Sequence, residues 1–340
     1  MTDLALDVLT IGNAIVDVLS QVEEHVLDEH GLVKGSMRLC SEEEAAAVYA
    51  AMGPAVEISG GSAANTAVGV ASFGGRAAFV GKVRDDQLGD VFAHDIRASG
   101  VAFDARPAAD GPPTGRCLIL ISPDAQRTMS TFLGTAGLLG PDDVRDDQVA
   151  SAGVTYLEGY LWEEPSAKAA IQRAVAAAHA AGRSVAFTLS DSFCVERNRA
   201  EFLALVESSV DVLFANEAEL TSLYGSDDFD ACLEQVRRSV ALAAVTRGAA
   251  GSVLVTPDRL EEIGAEPVEV VDTTGAGDLY AAGVLYGLAA GHDLAVAGRL
   301  GAVAAGEIIS HVGARPEVSL AELAADVLSH SPAPAGPTGA

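Results

Sequence analysis

The chain has 340 residues, 49% of them hydrophobic and only 5% aromatic, so it can bury a sizeable core built from Ala, Val and Leu rather than from rings. Forty-eight acidic against twenty-one basic residues give a net charge of −27, which opposes non-specific binding to nucleic acid or to an anionic membrane. No run of eighteen apolar residues occurs, MTDLALDV lacks the pattern of a signal peptide, and Cys40, Cys117, Cys194 and Cys232 are scattered without a CxxC pair, so a cytoplasmic location with reduced thiols is expected.

LDVLTIGNAIVDVLSQV, 6 to 22, holds two apolar runs broken at Gly12 and Asn13, which predicts one strand leaving a sheet and a second beginning. Asp17 is the single charge in the second run, and the residues alone suggest an outward-facing side chain on a half-exposed strand. Ser41 followed by Glu42, Glu43 and Glu44 marks a helix start, and that helix should end near Gly53-Pro54. GGSAAN is a glycine turn into a second helix that ends at Gly74 and Gly75. RAAFVGKV, 76 to 83, reads as a strand, and 86 to 99 as a helix closed by Gly100. Residues 101 to 135 break the alternation with β-like runs, CLILIS and RTMSTFL among them, between turns rich in Pro and Gly.

From residue 150 onward the pattern is regular. VTYLEGYL, SVAFTLS, DVLFANE and LAAVTRG read as short strands, with helical stretches at 165 to 182, 196 to 208 and 228 to 240. Strict alternation predicts an α/β fold with a doubly wound, mostly parallel sheet flanked by helices, whose active loops follow the carboxyl ends of the strands. Asn216 and Glu219 follow one such strand and have the spacing of an N-cap with its capping-box partner.

In PVEVVDTTGAGDLYAAGVLYGLAAG, 267 to 291, the β-branched part from Val268 to Asp272 predicts a strand, and the apolar run from Leu279 to Leu288, stopped by Gly291, predicts a buried helix. The amides of Gly275, Ala276 and Gly277 would be free donors at the helix N-terminus, a ready anion site. Asp278 sits beside them, where a carboxylate would repel a bound anion. Its place makes sense if a neutral hydroxyl lies between, giving its proton to Asp278 while attacking a phosphate; a simple helix cap is equally open on this stretch. A further Ala-rich helix is expected at 293 to 310, before HVGARP turns the chain. No GxxxxGK[ST] loop, HRD, DFG or strand-linked GxGxxG is present, and no internal repeat is found.

DTTGAGD, 272 to 278, resembles the C-terminal signature of the ribokinase, or PfkB, family of carbohydrate and nucleoside kinases. GGSAANTAVGVASFGG, 60 to 75, is similar to its N-terminal signature, and NEAE and TRGAAG match between them, so the resemblance spans essentially residues 5 to 325. It implies a small β-sheet lid, formed here by residues 13 to 40 and 101 to 135, over a large α/β domain made of 1 to 12, 41 to 100 and 136 to 329, while 330 to 340 would be a disordered tail.

The same resemblance implies the site. Asp278 would be the catalytic base, with Gly275, Ala276 and Gly277 neutralising charge and Arg127 lying over the transferring phosphate. Asp17 would accept a sugar diol, with Asn13, Gly61, Ser62 and Asn65 as neighbouring substrate contacts. Asn216 and Glu219 would order Mg²⁺ through water, Thr246, Arg247 and Gly248 would lie near the nucleotide phosphates, and His311 and Gly313 beside the adenine of ATP. Asp272 and Thr274 would supply oxygens to a monovalent cation, K⁺.

FTLSDSFCVE and VDVLFANEAEL look more like adenosine kinases than like sugar kinases, which makes the 5'-hydroxyl of adenosine the expected acceptor and ATP the donor. Met129, Phe132, Leu133, Tyr160, Leu161 and Phe193 are candidates for an apolar slot around the base, or equally for core. Two segments depart from the family pattern: DTTGAGDLY where a small or aromatic pair is commoner, and TLSDS in place of an asparagine-bearing NLS, which leaves the base preference open. A sugar kinase of ribokinase or fructokinase type and a non-catalytic nucleotide-binding protein are the alternatives. Monomer and homodimer are both compatible with the sequence.

Overall fold

The structure, a computed structural model, describes residues 4–124 and 126–329, so the tail expected at 330 to 340 lies outside the described residues. The first seven strands are β1 (Leu6–Ile11), β2 (Ile15–Gln21), β3 (Met37–Leu39), β4 (Val56–Gly60), β5 (Ala77–Val80), β6 (Gly115–Ile121) and β7 (Arg127–Phe132). They are followed by β8 (Ala152–Glu158), β9 (Ser184–Thr188), β10 (Val212–Asn216), β11 (Leu242–Thr246), β12 (Ser252–Val255) and β13 (Leu260–Ile263).

Eight strands form the main sheet, in the order β13-β12-β11-β10-β9-β8-β1-β5. All are parallel from β5 to β11, while β12 and β13 add an antiparallel edge. The short apolar strands read as they do because both faces are covered. Val8, Tyr156, Phe214 and Ala244 enter one core, and their sequence neighbours Leu9, Leu157, Leu213 and Val245 enter the other. The helices that cover them include Ser62–Ser72 and Ala276–Ala289 on one side, with Pro165–Ala180 and Ser192–Ser209 on the other.

One expectation about the last quarter of the chain fails. Val268 to Asp272 is not a strand: it carries the exposed Val268, Val270 and Val271, and its last amides, Val271 N and Asp272 N, donate to the single carbonyl of Ile309. The sheet edge is instead taken by the hairpin β12–β13. SVLV and LEEI, split by a Pro-Asp turn, were a hairpin signal as good as the β-branched run further on.

The second sheet has the order β3-β7-β6-β2-β4. It includes β4, from a stretch where only a turn was expected, because Val56–Gly60 pairs antiparallel with β2. One face is closed by its own helices: Glu42–Ala51, started by a Ser41/Glu44 capping box, and Glu24–Glu29 bury Val16, Val18, Leu118 and Leu120 with Ala45, Val48 and Leu27. The opposite face, reached by Asp17, Ile119 and Arg127, looks across a narrow crevice at Thr274 and Arg315.

Candidate active site

Asp278 lies in the first turn of Ala276–Ala289, whose N-cap is Gly275. Gly275 is left-handed, at φ +78°, and a Cβ there would meet the Cβ of Ala314 at 3.0 Å, so this corner requires glycine. The Asp278 carboxylate is held from two sides: Oδ1 accepts from Ser62 Oγ at 2.6 Å and Oδ2 from Asn65 Nδ2 at 2.9 Å. Burial raises its pKa above the ordinary carboxylate value, against the pull of those two donors and of Arg315. Of the three amides expected to be free, Ala276 N is spent on Thr273 O at 3.2 Å, whereas Gly275 N and Gly277 N have no acceptor among the described residues. Two of the three expected donors therefore remain free beside the carboxylate.

Ser62 and Asn65 were expected at the substrate and are found on Asp278. They stand there because Ser62–Ser72 begins at the glycine turn, with Gly61 at φ +98° and packed so that any side chain would strike the Asn13 carbonyl. Asn65 is 5% exposed and its Oδ1 has no partner, so it keeps one acceptor aimed into the site.

Asp17 is half-buried on β2, and its carboxylate lies against Gly60, whose missing side chain makes the room. No donor among the described residues reaches its oxygens. Desolvation raises its pKa to about 7, with Arg315 and Arg127 opposing and Asp278 adding to the shift. Asn13, expected as its weaker neighbour at the substrate, is anchored through two of its donors. Its backbone N and Nδ2 both donate to Glu158 Oε1, at 2.7 and 2.8 Å, and Glu158 Oε2 accepts from Ala63 N at 2.8 Å. Asn13 thus belongs to a buried brace between β1, β8 and the glycine turn. Glu158, 1% exposed and with a pKa pushed to about 7 by burial, was missed because a lone Glu at a strand end has no motif around it.

Arg127 reaches from β7 across the crevice to the loop before the glycine turn. Its Nη1 lies 2.7 Å from Asp272 Oδ2 and donates to Thr274 Oγ1 at 3.3 Å, while Nη2 is buried without a partner. Asp272 also accepts from Thr274 N at 3.1 Å, Thr274 Oγ1 at 2.8 Å and Gly313 N at 3.0 Å. These side chains do not fit the monovalent cation expected on them, because a guanidinium already supplies the positive charge and the carboxylate oxygens are filled.

On the other side of Asp278, Asn216 and Glu219 cap the helix Glu217–Tyr224. Glu219 N donates to Asn216 Oδ1 at 2.8 Å, and the two Glu219 oxygens accept Asn216 N at 2.9 Å and Asn216 Nδ2 at 2.6 Å. Glu219 is 5% exposed, and burial, helped by the charges of Asp191 and Asp278, raises its pKa to about 7. Its remaining lone pairs can accept from water, so the pair fits Mg²⁺ through water; among the described residues no cluster of three or more His, Cys, Asp or Glu is placed to bind a metal directly.

Thr246 pairs with Asn216 in the sheet, which sets Thr246, Arg247 and Gly248 beside the cap. Arg247 is engaged: Nε donates to Glu217 Oε2 at 2.9 Å and the guanidinium lies 4.4 Å over the Phe229 ring. His311, just after Leu294–Ile309, is held by Glu307, with 3.0 Å between Nε2 and Oε1. Gly313 is tied to Asp272 as described. Of the expected apolar slot, Leu161 is buried in the core and Phe132 turns to the helix-covered face of the second sheet, one residue out of phase with Arg127 and Met129. Tyr160 OH bonds Ser190 O at 3.3 Å, and Phe193 is 68% exposed.

A buried carboxylate beside a helix N-terminus, with a crevice lined by Asp17, Arg127 and Arg315 on one side and a capped Asn–Glu pair on the other, is an arrangement suited to phosphoryl transfer on a doubly wound sheet. The chain belongs to the pfkB family of carbohydrate kinases, whose profile matches residues 39–320. It is thus a carbohydrate or nucleoside kinase with ATP as co-substrate. The crystal structure of adenosine kinase from Sinorhizobium meliloti is 54% identical, with a TM-score of 0.89, and the match covers 94% of this chain and 99% of that one. A probable sugar kinase protein from Rhizobium etli CFN 42 is 49% identical, with a TM-score of 0.90, covering 95% and 98%. The fructokinase of Klebsiella pneumoniae is 30% identical over 245 residues, 70% of this chain and 79% of that protein. Among the described residues no helix is long and apolar enough to cross a membrane.

Proposed function

We propose that this kinase transfers the γ-phosphoryl group of ATP to the 5'-hydroxyl of adenosine, with Asp278 as general base. The observation that carries the chemistry is the Asp278 carboxylate, fixed by Ser62 and Asn65 next to two unpaired amides. Asp278 takes the hydroxyl proton as the oxygen attacks phosphorus, and Gly275 N and Gly277 N stabilise the charge that develops on the transferring group. The unpartnered Nη2 of Arg127 is a further donor for that group. Mg²⁺, when bound, supplies positive charge at the β- and γ-phosphates, and Asn216 with Glu219 would hold it through water. Asp17 and Asn65 Oδ1, acceptors with no protein donor, suit the hydroxyls of a ribose.

Adenosine is favoured as acceptor by the 54% identity with an adenosine kinase over nearly the whole chain. The fructokinase relatives support a second reading, a furanose kinase. ADP release with adenosine, inosine, guanosine, ribose and fructose separates them: adenosine should turn over fastest. Turnover with free sugars alone would overturn the nucleoside reading, and silence with every acceptor would leave a nucleotide-binding protein.

A further inference from the structure

Arg315 lies in the HVGARP turn but was given no role by the sequence, yet its guanidinium is among the most heavily used in the molecule. Nε and Nη2 donate to Ser59 O at 3.0 and 2.6 Å, Nη2 also to Ser59 Oγ at 2.9 Å, and Nη1 to Ala64 O at 3.0 Å. Ser59 is in β4 and Ala64 in the first turn of Ser62–Ser72, so one planar fork spans the Gly60–Gly61 corner. Ser59 is gripped from its far side too, since its N and Oγ donate to Asp95 Oδ2 at 2.9 and 2.5 Å. That corner presents Ser62 and Asn65 to Asp278 and leaves space for Asp17. Two residues before Arg315, Gly313 N binds Asp272, and Ala314 packs on Gly275. One short loop therefore contacts both the turn that carries the base and the turn that orients it.

We propose that Arg315 is a positioning residue for phosphoryl transfer: its fork locks the Gly60–Gly61 corner to the Asp272–Gly275 turn, and so fixes Asp278 between its two donors. The inference rests on Asp278 being the base. The electrostatics point the same way. Asp278 is faced by Asp17 from β2, Tyr156 and Glu158 from β8, Tyr160 just beyond it and Glu219 from the capped helix, all acidic or neutral. Arg315 is the cation that offsets them at Asp278, and its own pKa falls to about 10 as the surrounding protein strips it of water.

Arg315→Lys keeps the charge and loses the fork, whereas Arg315→Gln loses both. Both should lower kcat by about tenfold to a hundredfold, the scale of a small misplacement of reacting groups. In Arg315→Gln the acid limb of the kcat/KM profile should also move to higher pH, and in Arg315→Lys it should stay at the wild-type position. Each variant is assayed well below its own melting midpoint; if Arg315→Gln does not fold, the kcat of Arg315→Lys decides. Wild-type kcat and KM in Arg315→Lys, or an effect of Arg315→Gln confined to melting, would overturn the proposal. Asp278→Asn is measured alongside. If it stays active, the base assignment fails whatever Arg315 does, and if it is inactive while both Arg315 variants match wild type, only the positioning role falls.

Discussion

Arg127 on the second sheet and Asp272 ahead of the glycine turn form an ion pair of 2.7 Å, with side chains only 8% and 7% exposed. The guanidinium stands where the family resemblance implied a monovalent cation. The enzyme should therefore be indifferent to K⁺, with initial rates in K⁺, Na⁺ and tetramethylammonium salts equal within about twofold, since the fixed charge leaves no site to fill. Arg127→Ala should open the position, lower stability by about 3–5 kcal/mol as Asp272 loses its partner, and gain a melting temperature that K⁺ raises. Strong K⁺ activation of the wild type would show that the pair opens during turnover.

Asp278→Asn retains the shape of the side chain and removes its basicity. A drop in kcat of about 10²- to 10⁴-fold with nearly unchanged KM is expected. More than half of wild-type turnover in this variant would exclude Asp278 as the base.

Asp17 titrates near neutrality, and only its ionised form accepts two hydroxyl hydrogens. Because its pKa is raised to about 7, the acceptor KM should rise as pH falls below that value, and Asp17→Asn should remove this slope while raising KM by roughly tenfold to a hundredfold. Stability of the empty enzyme runs the other way. For Asp17, Glu158 and Glu219 the folded pKa, about 7 in each, lies above the unfolded one, so the fold binds extra protons between roughly pH 4 and 7. Their contribution is fully present below the unfolded values and is lost as pH rises through 7. A melting curve for the unliganded protein that rises with pH across this window would contradict the assignment.

Gly275→Ala puts a side chain at φ +78° and 3.0 Å from the Ala314 Cβ. About 1–2 kcal/mol of backbone strain should lower the melting temperature, and kcat should fall at least about tenfold because Asp278 follows three residues later. Gly264→Ala, where a Cβ meets nothing within 4 Å, is the control and should behave as wild type.

Much of the local structure of the candidate site was legible in the residues themselves. Asp278 beside small residues at a helix start, the Asn216–Glu219 spacing and the glycine corner before Ser62 are local patterns, and local hydrogen bonding makes them what they are. What was not legible has a common origin in long-range contacts. Val268 to Asp272 has the composition of a strand, but it joins no sheet, and its last two amides bond the carbonyl of Ile309 at a helix end. Which protein groups Asn13 and Asp272 meet was likewise not legible, because Glu158 and Arg127 come from chain segments far away in sequence.

The sequence by itself determined the alternating elements, the parallel sheet and the placing of chemistry at its carboxyl edge, because hydrophobic period and capping act within a few residues. Only the tertiary structure decided that Arg127 neutralises Asp272, that Glu158 braces Asn13 and Ala63, and that Arg315 ties Ser59 to Ala64. Those contacts bridge separations of 95 to 256 residues, and a buried charge takes whatever partner the packing of both sheets brings within reach.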